Sequence, residues 1–353
     1  MASFAFSGFA GATTYTTTLL SGVDSHALAI NNNGQVVGVS NMANGSPHAT
    51  IWNGTVATDL GTFGGNGSSA SGINNSGQVV GIAPIANGES HATIWNGTVA
   101  TDLGTLGGTF SYANGINNNG QVVGGSYAAN GDQHATIWNG TVATDLGTLG
   151  GGYSMATGIN NNGQVVGSSS TANWDTHATI WNGTVITDLG TLGGGYSMAT
   201  GINNNGQVVG YSNTASRKLH ATIWNGTVAT DLGTLGGQAS YAEGINNNGQ
   251  VVGRYYDANW KSYATIWNGT AATDLNTYLD SSLISAGWSL QGAYGVNDSG
   301  SIVGHAWNSI SGENRAFIMS ADTAAVPEPE TYALVLAGFA VVGLATHRRR
   351  KSS

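Results

Sequence analysis

A histidine, a threonine, a tryptophan and an aspartate recur together along this chain of 353 residues, as His91, Thr93, Trp95 and Asp102 and again as His134, Thr136, Trp138 and Asp145. Imidazole next to carboxylate is the pairing that orients a general base in a Ser/His/Asp triad, and imidazoles arranged in a ring can hold a metal ion. Repetition argues against both. A triad needs distinct nucleophile, base and orienting roles in one asymmetric place, whereas GTLGGGYSMATGINNNGQVVG occurs identically at 147–167 and 190–210. A metal needs its ligands within about 2 to 3 Å of one point, and one His per repeat does not converge. Alternation along a strand puts His, Thr and Trp on the same face. The expected roles are therefore structural: Trp packs against the next unit, while His and Asp satisfy buried polar groups. No residue is identifiable as having a displaced pKa in a cleft. No catalytic residue, metal ligand or cofactor is assigned, and the chain reads as non-enzymatic.

The elements that would position these residues follow from the repeat. HATIWNGTV begins at His48, His91, His134, His177 and His220, and YATIWNGTA at Tyr263, with a constant period of 43 residues. INNxGQVVG begins at Ile30, Ile73, Ile116, Ile159, Ile202 and Ile245, with a looser VNDSGSIVG at Val296, which makes seven units. β-branched and aromatic residues cluster in GQVVG and HATIW, and Asn-Gly pairs supply the positive φ of tight hairpins. The six N-G-T sequons are read as those hairpin turns. The Gly-rich stretches precede neither Lys nor a helix and are not phosphate loops. About four short strands per unit of this length match a β-propeller blade.

The predicted fold is therefore all-β, a seven-bladed β-propeller of four-stranded repeats over 13–320, with an open β-solenoid as the alternative. The last unit stops without its fourth strand, and Tyr15–Gly22 stands where that strand belongs, as ring closure would require. The seventh unit carries an eight-residue insertion, in which LDSSLISAGWSL reads as a short helical turn.

Charge sets limits on partners. Everything before Arg348 carries five basic against eighteen acidic residues, a formal charge of −13, so the body lacks the basic surface that nucleic acid requires. There is no Cys, which removes disulfide frameworks and thiolate metal sites. The loops between V-V-G and H-A-T differ from unit to unit, and they place Trp174, Asp175, Arg217, Lys218, Tyr255, Tyr256, Trp260 and Lys261 at one end of the ring. Variable loops on a fixed scaffold suit ligand binding, and aromatics beside polar groups can stack on sugars. Simple drift of exposed loops is the alternative.

The ends differ from the body. Residues 1–12 have a short apolar stretch ending in Ala10-Gly11-Ala12 but no basic start, and are read as a truncated signal peptide or an extra strand. After a linker at 321–325, the segment 326–353 holds Val326-Pro327-Glu328-Pro329, an apolar run over 331–346 and the basic cluster Arg348, Arg349, Arg350 and Lys351. That run is just long enough for one transmembrane helix, with the basic cluster staying cytoplasmic. A permanent single-span anchor has the same hydropathy.

Two resemblances follow from these residues. The H-A-x-I-W, D-L-G-T-L-G-G and A-x-G-I-N-N-x-G-Q-V-V-G strings resemble the HAF-repeat family of bacterial extracellular proteins over about 15–320. Thr50 and Thr93 depart from the Phe of that pattern, which Ala316-Phe317 keeps. The segment 326–353 resembles a PEP-CTERM sorting signal. This second resemblance implies an exosortase-type membrane protease as partner, with transient anchoring in the inner membrane of a Gram-negative bacterium before surface or extracellular release. It also implies an exopolysaccharide or biofilm context. The alternatives are a carbohydrate-binding or carbohydrate-acting enzyme on the same fold and an ice- or surface-binding repeat array.

Overall fold

Asn-Gly hairpins organise the chain, whose computed structural model describes residues 14–321. In the first unit the strands Val23–Ile30, Val36–Asn41, Pro47–Asn53 and Val56–Asp59 are hydrogen-bonded in that order, each antiparallel to the next. Gly54, between the last two, has φ +62°, in the left-handed region that a two-residue hairpin needs. The same four-stranded pattern recurs over 69–102, 107–145, 150–190, 193–231 and 239–274.

The seventh unit is assembled from both ends of the described chain. Trp288–Val296, Ile302–Asn308 and Asn314–Ala321 supply three strands, and Tyr15–Leu19 is the fourth, hydrogen-bonded to Asn314–Ala321. A 3-10 turn, Leu275–Tyr278, and a short helix, Ser281–Ser285, occupy the insertion before it.

Contacts between units repeat as regularly as the sequence. Asn74 Nδ2 donates to the Asn117 carbonyl at 3.1 Å, and the equivalent bond links every successive pair from Asn31 onward. The series returns to its start, because Asn297 Nδ2 donates to the Asn31 carbonyl at 3.1 Å. A second link uses the Ser of S-x-A: Ala92 N–H donates to Ser111 Oγ, which donates to the Gly104 carbonyl. Its counterpart between the last and first units is Ala316 N–H to Ser25 Oγ at 2.9 Å. The arrangement is all-β and propeller-like.

The core lies between units. Trp95 packs with Val37, Ala49 and Leu60 of the unit before it, and Trp138 with Val80, Ala92 and Leu103. The neighbour is thus the preceding unit, not the following one, because the indole leans back across the interface. Glycine permits the close strand spacing within each unit: a Cβ on Gly124 would collide with the Tyr112 carbonyl. The signal segment expected at 1–12, the transmembrane helix at 331–346, the Val326–Pro329 motif and the Arg348–Lys351 cluster lie outside the described residues. Among the described residues no helix is long and apolar enough to cross a membrane.

Candidate functional site

The recurring polar set is dispersed. His91 Nδ1 lies 2.9 Å from Asp102, and His134 Nδ1 2.6 Å from Asp145. Each pair joins the third strand of a unit to the end of its fourth, and Asp102 also accepts the Gly104 N–H at 2.7 Å. These are local ties, one per unit. Among the described residues no group of three His, Asp or Glu side chains could hold a metal ion. In the sixth unit Tyr263 replaces the His, and Tyr255 Oη donates to Asp274 at 3.3 Å while its ring stacks on Tyr263.

Convergence occurs instead on the axis. The first strands line a channel with three levels. At one end lie Asn31, Asn32 and their equivalents. A waist follows where Gly72, Gly115, Gly158 and Gly201 face each other, and a Cβ on Gly115 would meet Gly158 Cα at 3.4 Å. The other end opens into a cavity of about 500 Å³ lined by Tyr112, Met155, Met198, Tyr211, Tyr241, Glu243, Arg254 and Tyr294, among others. These residues come from the two variable positions of S-x-A-x-G and the one after V-V-G. At these positions the units differ from one another, as they do in the loops between V-V-G and H-A-T.

The mouth has one ion pair, placed among rings. Arg254 Nη2 lies 3.2 Å from Glu243 Oε1, and its guanidinium sits over Tyr241 at 5.2 Å and Tyr294 at 5.8 Å. Burial raises the Glu243 carboxyl above its usual range, and the Arg254 charge counters that rise. His305 stacks on Tyr294 and is held well down, to about 4, by burial and then by His26 and Arg254, so it is neutral near pH 7. Burial likewise pushes the Tyr112 and Tyr211 hydroxyls up. The expectation that no cleft residue would have a displaced pKa is corrected by this cluster. Arg254, Glu243 and Tyr294 each occur once, and reading the units by what they share concealed them. Comparing the same three positions across units would have found them.

The variable residues divide. Trp174, Asp175, Trp260 and Lys261 lie in exposed turns, but Tyr255 and Tyr256 belong to the strand Gln250–Tyr256, because the strand continues past V-V-G. Tyr256 joins mouth to rim: its ring is 5.8 Å from Tyr241 and 6.0 Å from Trp260. Tyr211 lies 4.8 Å from Tyr241 and 6.1 Å from Tyr196. A continuous aromatic path thus runs from the axis to the edge of one face.

Such a face belongs to a body of all-β, propeller-like build. In the segment after it, the PEP-CTERM protein-sorting motif matches residues 325–350, the mark of an exported, exosortase-targeted protein. No curated protein is matched by the sequence. Among solved structures, TolB from Acinetobacter baumannii is similar at 10% identity and TM-score 0.48, over 67% of this chain and 61% of that one. The putative TolB from Agrobacterium tumefaciens is similar at 11% identity and TM-score 0.42, over 89% and 100%. The Aleuria aurantia lectin, a fungal lectin described as a six-bladed β-propeller with a fucose recognition mode, is similar at 13% identity and TM-score 0.36, over 90% and 97%.

Proposed function

We propose that this is an exosortase-processed cell-surface or matrix protein of a Gram-negative bacterium, built as a closed seven-bladed β-propeller of HAF-like repeats, that binds exopolysaccharide without reacting with it. Its context is the biofilm. The observation that carries the binding is the aromatic mouth with its single Arg254–Glu243 pair. Flat rings offer sugar faces apolar contact, and a charged pair that already satisfies itself can share hydrogen bonds with hydroxyls. Hydrolysis by the common route uses two carboxyl groups flanking the bond. Glu243 is the one carboxylate lining this mouth among the described residues, and it is held by Arg254. The returning series of Asn and Ser bonds supports closure.

A glycan array probed with the full-length protein tests the binding. Tyr241→Ala and Arg254→Met are each expected to weaken the captured glycan about 30-fold, the effect of losing a central anchor. Failure of the unmodified protein to retain any glycan would overturn the reading.

Processing has its own test. Replacing Pro327, Glu328 and Pro329 with Ala leaves the apolar run intact, so membrane insertion should persist while cleavage stops and uncleaved protein accumulates in the membrane. Replacing Arg348–Lys351 with Ser should instead disturb topology. Mass spectrometry of the surface protein from an exosortase-positive host decides: an intact Ser353 terminus on the unmodified protein would leave a permanent anchor.

A further inference from the structure

The turn between the second and third strands has one left-handed position in each of the first six units. The first three fill it with glycine: Gly45, Gly88 and Gly131, at φ +84°, +88° and +90°. The next three fill it with Trp174, Arg217 and Trp260, at φ +67°, +62° and +62°. A bulky side chain is strained there, and the same turn is made without strain three times in this chain. The two indoles gain no compensating burial, since Trp174 is 76% and Trp260 64% exposed. The turn geometry therefore does not explain these residues.

Charge singles out the same arc. The residue after the left-handed position is Ser46, Glu89, Asp132 and Asp175 in the first four units, then Lys218 and Lys261 in the fifth and sixth. Of the five Lys and Arg residues before Arg348, Arg254 and Arg315 are paired with Glu243 and Glu313. Among the described residues Arg217, Lys218 and Lys261 make no ion pair, and all three lie on this arc. A body of net charge −13 thus carries every unpaired cation of its described part between and beside two exposed indoles. Asp257 accepts the Lys261 and Asn259 N–H groups of its own turn, and these bonds, with the Tyr263 hydroxyl and the Lys261 charge, hold its carboxyl below the usual range against the opposing effect of burial.

We propose that the rim formed by Trp174, Arg217, Lys218, Trp260 and Lys261 binds an anionic polysaccharide, one whose sugars carry carboxylates. The chain would lie along three consecutive units, its rings stacked on the two indoles and its carboxylates facing the cations between them. Tyr256 links Trp260 to Tyr241, so this rim extends the mouth rather than competing with it. The proposal rests on the carbohydrate reading above and adds the charge of the ligand.

The test uses polygalacturonate and the same polymer fully methyl-esterified, which share a backbone and differ in charge. The full-length protein should bind the free acid about tenfold more tightly at low salt, and this preference should vanish near 1 M salt. Arg217→Ser, Lys218→Ser and Lys261→Ser together should abolish the preference while leaving binding of the ester unchanged. Trp174→Gly with Trp260→Gly should weaken both polymers and leave thermal unfolding unchanged or shifted upward, because glycine suits those φ values. Equal affinity for acid and ester would overturn the anionic rim and leave the mouth reading standing. Binding of neither polymer, with neutral glycans still retained on the array, would overturn the rim alone. Equally tight binding of double-stranded DNA would show a general polyanion surface and would also overturn it.

Discussion

Trp138→Ala should lower the unfolding free energy by about 3 to 5 kcal/mol, the range for truncating a buried indole that its surroundings cannot refill. Trp138 is fully buried and touches two units at once: Val80, Ala92 and Leu103 of one, Ala113 and Val122 of its own. Truncation opens a cavity in that interface, and both sides are strand backbones fixed by ladder hydrogen bonds, so neither can collapse inward. A second substitution separates packing from hydrogen bonding. The Trp138 indole N–H has no partner among the described residues, whereas Trp52 donates to the Ser21 carbonyl at 2.7 Å. Trp138→Phe should thus cost less than Trp52→Phe, which also gives up a hydrogen bond. Urea unfolding of the three variants measures this, and a near-neutral Trp138→Ala would remove Trp from the interface core.

Much of this architecture is legible in the residues, for a physical reason. Strand period, Asn-Gly turns and a fixed repeat are local signals, and a unit that cannot bury its own apolar face must stack on a neighbour. Tyr15–Gly22 was identifiable as a displaced fourth strand because its place in the repeat is vacant in the last unit. The direction in which Trp138 leans was not legible, since alternation gives a face but not which neighbour covers it. Nor was the extent of the strand ending at Tyr256, because propensity continues past V-V-G in that unit without any turn residue to mark its end. The mouth was hidden for another reason. Its residues come from several units, as Arg254 and Tyr294 do at 40 positions apart, and they meet only because the first strands converge on an axis. The His-Asp pairs attracted attention by recurring, yet recurrence around an axis disperses a group unless its side chain points inward.

Deleting residues 13–24 should do more damage than any single substitution. Tyr15–Leu19 is the fourth strand of the seventh unit, and its loss would leave Asn314–Ala321 as an unpaired edge. Leu20 is fully buried with Ala27, Val36, Trp52, Val303 and Ala316, residues of the first and last units. Its N–H donates to the Ala316 carbonyl at 2.8 Å, and the Ser21 carbonyl is the acceptor for Trp52. Tyr15 and Leu19 also pack against the Leu290 and Phe317 cluster between the sixth and seventh units. Loss of the Leu20 side chain alone is worth about 2 to 5 kcal/mol, and the strand's hydrogen bonds and both interface contacts go with it, which exceeds the margin many domains possess. The truncated protein should therefore lose cooperative unfolding or aggregate through the bared edge. A peptide of residues 13–24 added in trans should restore the transition in proportion to its concentration, because strand addition to a sheet edge requires no covalent link. In an open array the same deletion would trim one end and spare the rest. Unchanged melting of the truncated protein, with no response to the peptide, would therefore exclude a ring closed by this strand.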